Sequence, residues 1–168
     1  MTPSVGWTRT APSHWRRTKL KYITLLKSGE SITSDSISEA GDYPVFGGNG
    51  TRGFTTAFTH TGEHVLIGRQ GALCGNINYA SGRFWASEHA IVVAIKGEHD
   101  TVWLGELLRF MDLNQLSQSA AQPGIAADDV GNFEIAVPPL REQRVIARYL
   151  QTETARSVSY THLTLPTN

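Results

Sequence analysis

Three glycines, Gly48, Gly50 and Gly53, have the spacing G-x-G-x-x-G, which in dinucleotide-binding proteins lets the backbone approach a pyrophosphate. That chemistry requires a helix directly after the third glycine, because the helix N-terminus holds the pyrophosphate. The following stretch, FTTAFTHTGE (residues 54–63), is rich in threonine and aromatic residues and favours extended structure. The motif therefore predicts a turn that shapes the backbone, and we expect no cofactor.

Residues that could bind a metal or act as a nucleophile are present, but their spacing does not favour either function. His60 and His64 belong to HTGEH, which lacks both the order and the helix of an H-E-x-x-H zinc site, and His89 or Cys74 adds no tight set of ligands. The triplet at 87–89, Ser-Glu-His, brings a nucleophile and a base together only in sequence, which does not define catalytic geometry. We expect no metal site and no catalytic residue.

Glycine-punctuated loops recur between strand-like segments in the middle of the chain. VLIGRQGALCGNINY (residues 65–79) passes from an apolar run into spaced glycines, and Ala90 to Ile95 forms a second apolar run typical of a buried strand. Glycine allows a loop to approach another surface closely, and the Arg, Asn and Gln side chains between these glycines are types that pair with base edges. For each of these residues, an ordinary hairpin turn remains the alternative.

Charge is segregated along the chain, although the 15 basic and 15 acidic residues balance. Residues 1–29 contain no carboxylate but include Arg16, Arg17 and Lys19, and residues 43–87 contain a single acid, Glu63. Such segregation is compatible with a polyanionic partner. A solvated basic N-terminus and a transit peptide are the alternatives for the first segment.

The last third of the sequence changes to helical periodicity. An amphipathic helix is predicted over residues 101–116, followed by a turn at 127–130, a strand near 133–137 and a second helix that starts at Pro139 and ends near Arg156. One stripe of the second helix is predicted to form a subunit or helix interface through Val145, Ile146, Tyr149 and Leu150. Packing of this helix on its own domain is the alternative.

Length and composition set the scale of the fold. The 168 residues suffice for one domain with a hydrophobic core, and the single cysteine, Cys74, is consistent with a reducing compartment. No segment approaches the length of a membrane span. We expect an α+β protein.

Several spaced segments, in order YPVFGGNG, HVLIGRQGALCGNINY, GRFWASEHA, SAAQPGI and NFEIAVPPLREQ, closely resemble the target recognition domain of type I restriction–modification specificity subunits. The resemblance implies a single recognition domain with a twisted, mainly antiparallel sheet and glycine-rich loops, followed by the start of a long spacer helix. It also implies a non-catalytic, cytoplasmic subunit that reads one half of a bipartite duplex DNA target. The implied partners are modification (methyltransferase) subunits and a restriction (motor and nuclease) subunit.

The domain boundaries follow from this resemblance. We expect a DNA target recognition domain over residues 1–137 and the start of a spacer helix over residues 138–157. The last segment, VSYTHLTLPTN (residues 158–168), resembles translated adapter sequence and is expected to be a non-native tail, so that a second recognition domain would be missing.

The candidate DNA contacts are the basic residues of the N-terminal segment and the polar residues of the glycine- or proline-broken loops: Arg16, Arg17, Lys19, Asn49, Arg52, Arg69, Gln70 and Gln122. Two other classes of function are the alternatives. An enzyme acting by itself would need a cofactor or metal site. A carbohydrate- or ligand-binding β-rich module would use Tyr79, Phe84 and Trp85 as aromatic platforms.

Overall fold

A computed structural model of the protein describes residues 6–117 and 124–163, with side chains described as far as residue 155. The strands are β1 (Arg16–Lys19), β2 (Thr24–Ser28), β3 (Tyr43–Gly47), β4 (Gly50–Thr55), β5 (His60–Thr61), β6 (His64–Gly68), β7 (Ile77–Ala80), β8 (Arg83–Ala86), β9 (Ala90–Ile95) and β10 (Glu134–Val137). The α-helices are α1 (Leu20–Ile23), α2 (Thr101–Phe110), α3 (Ala127–Gly131) and α4 (Leu140–Leu163).

These strands form two four-stranded sheets and one two-stranded ribbon. The central sheet has the order β2-β9-β6-β7 and is antiparallel throughout, the second sheet has the order β4-β3-β8-β5, and β1 pairs with β10. Only β3 and β8 run parallel among the described pairs. The mainly antiparallel α+β class predicted from the sequence is confirmed, with the strands divided among three sheets.

The central sheet is buried on both faces, which explains the continuous apolar runs in its sequence. Val65, Ile67, Ile91 and Val93 belong to a core shared with α2, α3 and the start of α4. The alternate positions Leu66 and Val92 pack with Phe84 and Ala86 of the second sheet. The strand predicted at Ala90 to Ile95 is confirmed at both ends.

The helix predicted over 101–116 is shorter in the structure. It begins with Asp100, whose carboxylate accepts a hydrogen bond from the backbone N–H of Trp103, and it ends at Phe110. Asp112 has φ +48°, a left-handed conformation that an α-helix cannot continue through. A 3₁₀ turn over Leu113–Leu116 follows, so the apolar spacing reflects two elements instead of one.

The final helix differs from its prediction in length and in the face it buries. It continues to Leu163, past the predicted end near Arg156 and into the segment that was expected to be a non-native tail. Ile146 packs against the large core and Ala147 is buried, whereas Val145 and Tyr149 are exposed by 57% and 63%. The four residues of the predicted stripe therefore have different surroundings: Ile146 packs on its own domain, and Leu150 lines a cavity with α2.

Polar side chains fix the start of α4 to the rest of the domain. The Gln143 carboxamide is buried, accepts a hydrogen bond from the backbone N–H of Asp100 at 2.9 Å and donates one to the carbonyl of Pro138 at 2.9 Å. Glu142 accepts hydrogen bonds from the Trp15 indole at 2.8 Å and pairs with His14 at 2.7 Å. The first turns of α4 therefore belong to the domain.

The helices of the described residues include none that is both long and apolar enough to span a membrane.

Candidate nucleic-acid interface

The G-x-G-x-x-G stretch forms the hairpin between β3 and β4. Gly48 and Asn49 make the two-residue connection, and Gly50 has φ +90°, which glycine adopts without strain. Strand β4 continues through Gly53 to Thr55, with no helix after the third glycine. The prediction that this motif shapes a turn is confirmed in its backbone.

A β-bulge directs the side chain of Arg52. Val45 pairs with Gly53 and Phe46 pairs with Thr51, so Arg52 is the additional residue on β4. Bulges commonly re-aim a side chain, and here a Cβ placed on Gly47 would overlap the Cδ of Arg52. The guanidinium stem therefore lies across the base of the hairpin, with Arg52 exposed to solvent.

The second glycine-rich loop, residues 68–76, packs directly on the first hairpin. A Cβ on Gly68 would collide with the carbonyl oxygen of Gly48, so this close approach requires glycine. The Asn76 carboxamide donates a hydrogen bond to the Asn49 side-chain oxygen at 2.6 Å. The two loops therefore form one surface.

A third loop, residues 87–89, completes that surface. The backbone N–H of Arg69 donates to the carbonyl of His89 at 2.9 Å, and the Arg69 guanidinium reaches the carbonyl of Glu88 at 3.5 Å. The imidazole Nδ1 of His89 lies 3.0 Å from the Gln70 side-chain oxygen. We call residues 47–50, 68–76 and 87–89 together the glycine-loop cluster.

The structure brings three of the predicted DNA contacts, Asn49, Arg69 and Gln70, into this cluster, with Arg52 beside the hairpin. Gln122 lies outside the described residues. The chain returns to the cluster at Gly124, which forms a β-bridge with Gln70, and at Ile125, whose N–H donates to the carbonyl of Arg69 at 2.9 Å.

The basic residues Arg16, Arg17 and Lys19 lie elsewhere, on β1. Arg16 lines a small cavity with His14, His99 and the start of α4, and Lys19 is paired with Glu134 in the ribbon register. None of the residues that line this cavity belongs to the glycine-loop cluster. The predicted contacts therefore divide between the cluster and the β1–α4 junction.

The sequence gives only a weak indication of two further cluster residues, His89 and Asn76, and of Asn78, which lies beside the cluster on β7. From the sequence, His89 is a candidate metal ligand and Asn76 is an ordinary loop residue. In the fold, the His89 imidazole contacts the Gln70 side chain, and the Asn76 carboxamide donates to Asn49. The side-chain oxygen of Asn78 lies 3.5 Å from where a Cβ on Gly50 would be. The alternating asparagines in CGNINY were the available signal.

The two other histidines of interest, His60 and His64, lie between the two large sheets. Their ring centroids are 5.8 Å apart, and both rings contact Phe84. Burial lowers the pKa of His60, and the neighbouring His64 lowers it further. Among the described residues, no group of three or more His, Cys, Asp or Glu side chains could hold a metal ion.

The aromatic residues proposed as carbohydrate platforms are engaged in packing. Phe84 is fully buried, and the Trp85 indole donates to the carbonyl of Glu30 at 3.0 Å. The Tyr79 hydroxyl donates to the Glu106 carboxylate at 2.9 Å, and burial together with that carboxylate raises the pKa of Tyr79. These three rings do not form one exposed surface for stacking a sugar.

Comparison with known proteins gives a consistent match. Residues 12–164 match the family model described as "Type I restriction modification DNA specificity domain". The chain is 40% identical over 139 residues to the type I restriction enzyme EcoprrI specificity subunit of Escherichia coli, an alignment that covers 80% of this chain and 35% of that protein. It is 26% identical over 138 residues to a putative type I restriction enzyme specificity subunit of Haemophilus influenzae, covering 80% and 36%.

Solved structures share the fold. The S subunit of a type I restriction–modification system from M. genitalium superposes with a TM-score of 0.74 at 20% identity, covering 89% of this chain and 41% of that chain. The HsdS subunit from Thermoanaerobacter tengcongensis gives a TM-score of 0.73 at 22% identity, covering 94% and 41%. The chain thus spans little more than a third of the length of the curated relatives it matches.

Proposed function

Because the chain belongs to the family of type I restriction modification DNA specificity domains, we propose that it is a target recognition domain that reads one half of a bipartite duplex DNA site. The family is defined by DNA specificity and not by catalysis. The chain then contributes no chemistry. It positions modification (methyltransferase) subunits and a restriction subunit. Because its proposed target is genomic DNA, we expect it to work in the cytoplasm.

The glycine-loop cluster is the observation that supports this proposal. Glycines at contact points allow three loops to lie against one another, so that Asn49, Gln70 and Arg69 share one surface with hydrogen bonds that hold the two carboxamides. Side-chain amides and guanidinium groups are the types that read base edges in the major groove. Loops carried on a rigid sheet are the usual place for such residues.

The basic residues of β1 have a separate role in the proposal. Arg16 and Arg17 are exposed on β1, outside the cluster, Arg16 lines a cavity with the start of α4, and Lys19 continues the same strand. We propose that they contact phosphates and contribute affinity without reading sequence. The predicted domain limits, 1–137 and 138–157, are kept as part of this proposal, although Gln143 and Ala147 tie the first turns of α4 to the domain.

Duplex binding across a salt series tests the proposal. The wild-type chain should bind short duplexes with an affinity that falls steeply as salt rises, because neutralising phosphates releases counterions. Replacing Arg16, Arg17 and Lys19 together with alanine should weaken binding to all sequences. The slope of log K against log salt should fall by up to about 3, since each of the three cations neutralises about one phosphate.

Exposed basic residues on α4 provide the matched control. Alanine at Arg144 and Arg148, which are exposed on α4, removes charge without altering β1. Equal reductions of slope in both sets of variants would show that the phosphates do not lie against β1. A wild-type chain that does not bind duplex DNA even at low salt would contradict the proposed function itself.

A further inference from the structure

Gln70 has the geometry of a base-reading residue whose orientation is fixed in advance. Its side chain is exposed at the surface of the glycine-loop cluster, while its backbone is held from both sides. On one side Arg69 donates its N–H to the carbonyl of His89, and on the other Gln70 forms a β-bridge with Gly124. The position of its Cα is thus determined by two neighbouring loops.

The imidazole of His89 determines the orientation of the carboxamide. Nδ1 of His89 lies 3.0 Å from Oε1 of Gln70. An amide oxygen only accepts hydrogen bonds, so Nδ1 carries the proton and donates it. The amide nitrogen of Gln70 is thereby turned away from His89, and no hydrogen bond of this nitrogen occurs within residues 6–117 and 124–155.

Glu88 lies on the other side of His89. Its Oε1 is 3.7 Å from Nε2 of His89, and its Oε2 is buried with no hydrogen-bond partner in the described part of the chain. The Glu88 carboxylate and the Gln70 carboxamide therefore lie at opposite ring nitrogens of His89. Glu88, His89 and Gln70 thus follow one another in that order across the cluster, with Gln70 the most exposed of the three residues.

We propose that His89 is a positioning residue that holds the Gln70 carboxamide so that it pairs with an adenine in the major groove. Gln70 donates from its amide nitrogen to N7 of the base. The second lone pair of its oxygen accepts from the N6 amino group. This inference rests on the proposed function and adds which base type one side chain of the cluster reads.

Gln70→Glu is the central variant because it changes hydrogen-bonding character with little change in shape. A carboxylate still accepts from His89 but no longer donates to N7, and it accepts readily from the N4 amino group of cytosine. Selection from a random duplex library should therefore show adenine replaced by cytosine at one position of the enriched site, with the other positions retained. Gln151→Glu adds the same charge on α4, outside the cluster, and should leave the site unchanged.

His89 is tested by a pair of variants. Asparagine places an amide N–H close to where Nδ1 lies, whereas alanine removes the donor. His89→Ala should lower the preference for adenine at that position by roughly 5- to 150-fold, the range for one bidentate pairing with a base. His89→Asn should restore most of that preference, a rescue that a purely structural role of the ring would not produce.

A failure of the Gln70–His89 assignment can be distinguished from a failure of the proposed DNA recognition. An unchanged enriched site with Gln70→Glu, or equal relaxation at all positions with both His89 variants, would overturn the role of Gln70 and His89 while leaving DNA recognition intact. A wild-type chain that enriches no sequence would overturn both. If His89→Ala does not fold, as shown by its circular dichroism, the Gln70→Glu result decides by itself.

Discussion

Gly71 and Gly75 belong to the same loop, and both have positive φ, at +85° and +89°, but their surroundings differ. A Cβ at Gly71 would meet nothing within 4 Å, whereas a Cβ at Gly75 would lie 2.6 Å from the backbone nitrogen of Asn114. Of these two glycines, only Gly75 packs closely against the 3₁₀ turn after α2. Glycine spacing in the sequence predicts the loop but cannot distinguish these two roles.

Alanine substitution should separate backbone strain from steric overlap. Gly71→Ala is expected to lower the free energy of unfolding by about 1–2 kcal/mol, because it places a side chain in a left-handed conformation. Gly75→Ala should cost about 2–5 kcal/mol, since overlap with neighbouring backbone adds to the same strain. Urea denaturation measures both, and equal destabilisation would contradict the packing of this loop on Asn114.

His60 should make stability dependent on pH. Its pKa is lowered in the folded protein by burial and by His64, so the unfolded chain binds a proton more readily. The stability associated with a neutral His60 is complete above pH 6.5, the ordinary histidine pKa, and is lost as pH falls from there towards the lowered folded pKa. Lys27 also lowers this pKa and Glu30 opposes the shift.

Thermal melts between pH 8 and pH 5 test this prediction. His60→Phe keeps a ring on Phe84 and should flatten the decline of Tm below pH 6.5. The difference in Tm between variant and wild type should stay constant above pH 7.5, which serves as the internal control. His99, whose pKa is also lowered by burial, should leave a residual slope. Parallel curves over the whole range would show that His60 is not responsible.

At the scale of elements, the sequence identifies strands such as β9, because burial on both faces leaves a continuous apolar run, whereas short polar strands such as β1 and β5 have no such signal. It identifies α4 but not its buried face. Helical periodicity counts apolar side chains, whereas the inward position between Leu140 and Ala147 is occupied by a glutamine. The outward positions Val145 and Tyr149 are apolar. The apolar periodicity of α4 therefore does not predict its buried face, because the buried Gln143 is a polar residue whose side chain is hydrogen-bonded within the domain.

That glutamine should be the main anchor of α4. Gln143→Ala leaves the N–H of Asp100 and the carbonyl of Pro138 without their partner, and each unsatisfied buried group costs about 1–3 kcal/mol. We expect a loss of about 2–5 kcal/mol in chemical denaturation and faster hydrogen exchange at the start of α4. Arg144→Ala, one residue further and exposed, should change stability by less than about 0.5 kcal/mol.

At the scale of the whole molecule, the candidate recognition surface is the glycine-loop cluster, and the candidate spacer helix is α4, whose start packs on the same domain. The sequence predicts both from loop chemistry and helical periodicity, and the family match covers both, since it extends over residues 12–164. The residues that meet across loops, such as His89 and Gln70, are 19 positions apart, and only the fold brings them together. Spacing along the chain contains no information on such contacts.

The exposed face of α4 should let two copies of this chain associate. Val145 and Tyr149 are separated by four residues and lie on the same side of the helix, directed away from the domain that buries Ala147. An apolar pair on a helix is stabilised by packing against an equivalent helix, and a two-fold arrangement would use the same face twice. Two recognition domains would then share one assembly.

Sedimentation across a concentration series should therefore show a monomer–dimer equilibrium. Val145→Asp together with Tyr149→Asp should shift it to monomer without loss of folding, because both side chains are already exposed to water. The matched control is Ile146→Asp, which changes a residue that contacts the domain core and should lower the free energy of unfolding instead. A wild-type chain that stays monomeric at every concentration, with the same sedimentation as the double variant, would show that this face is free in solution and that pairing requires a different helix.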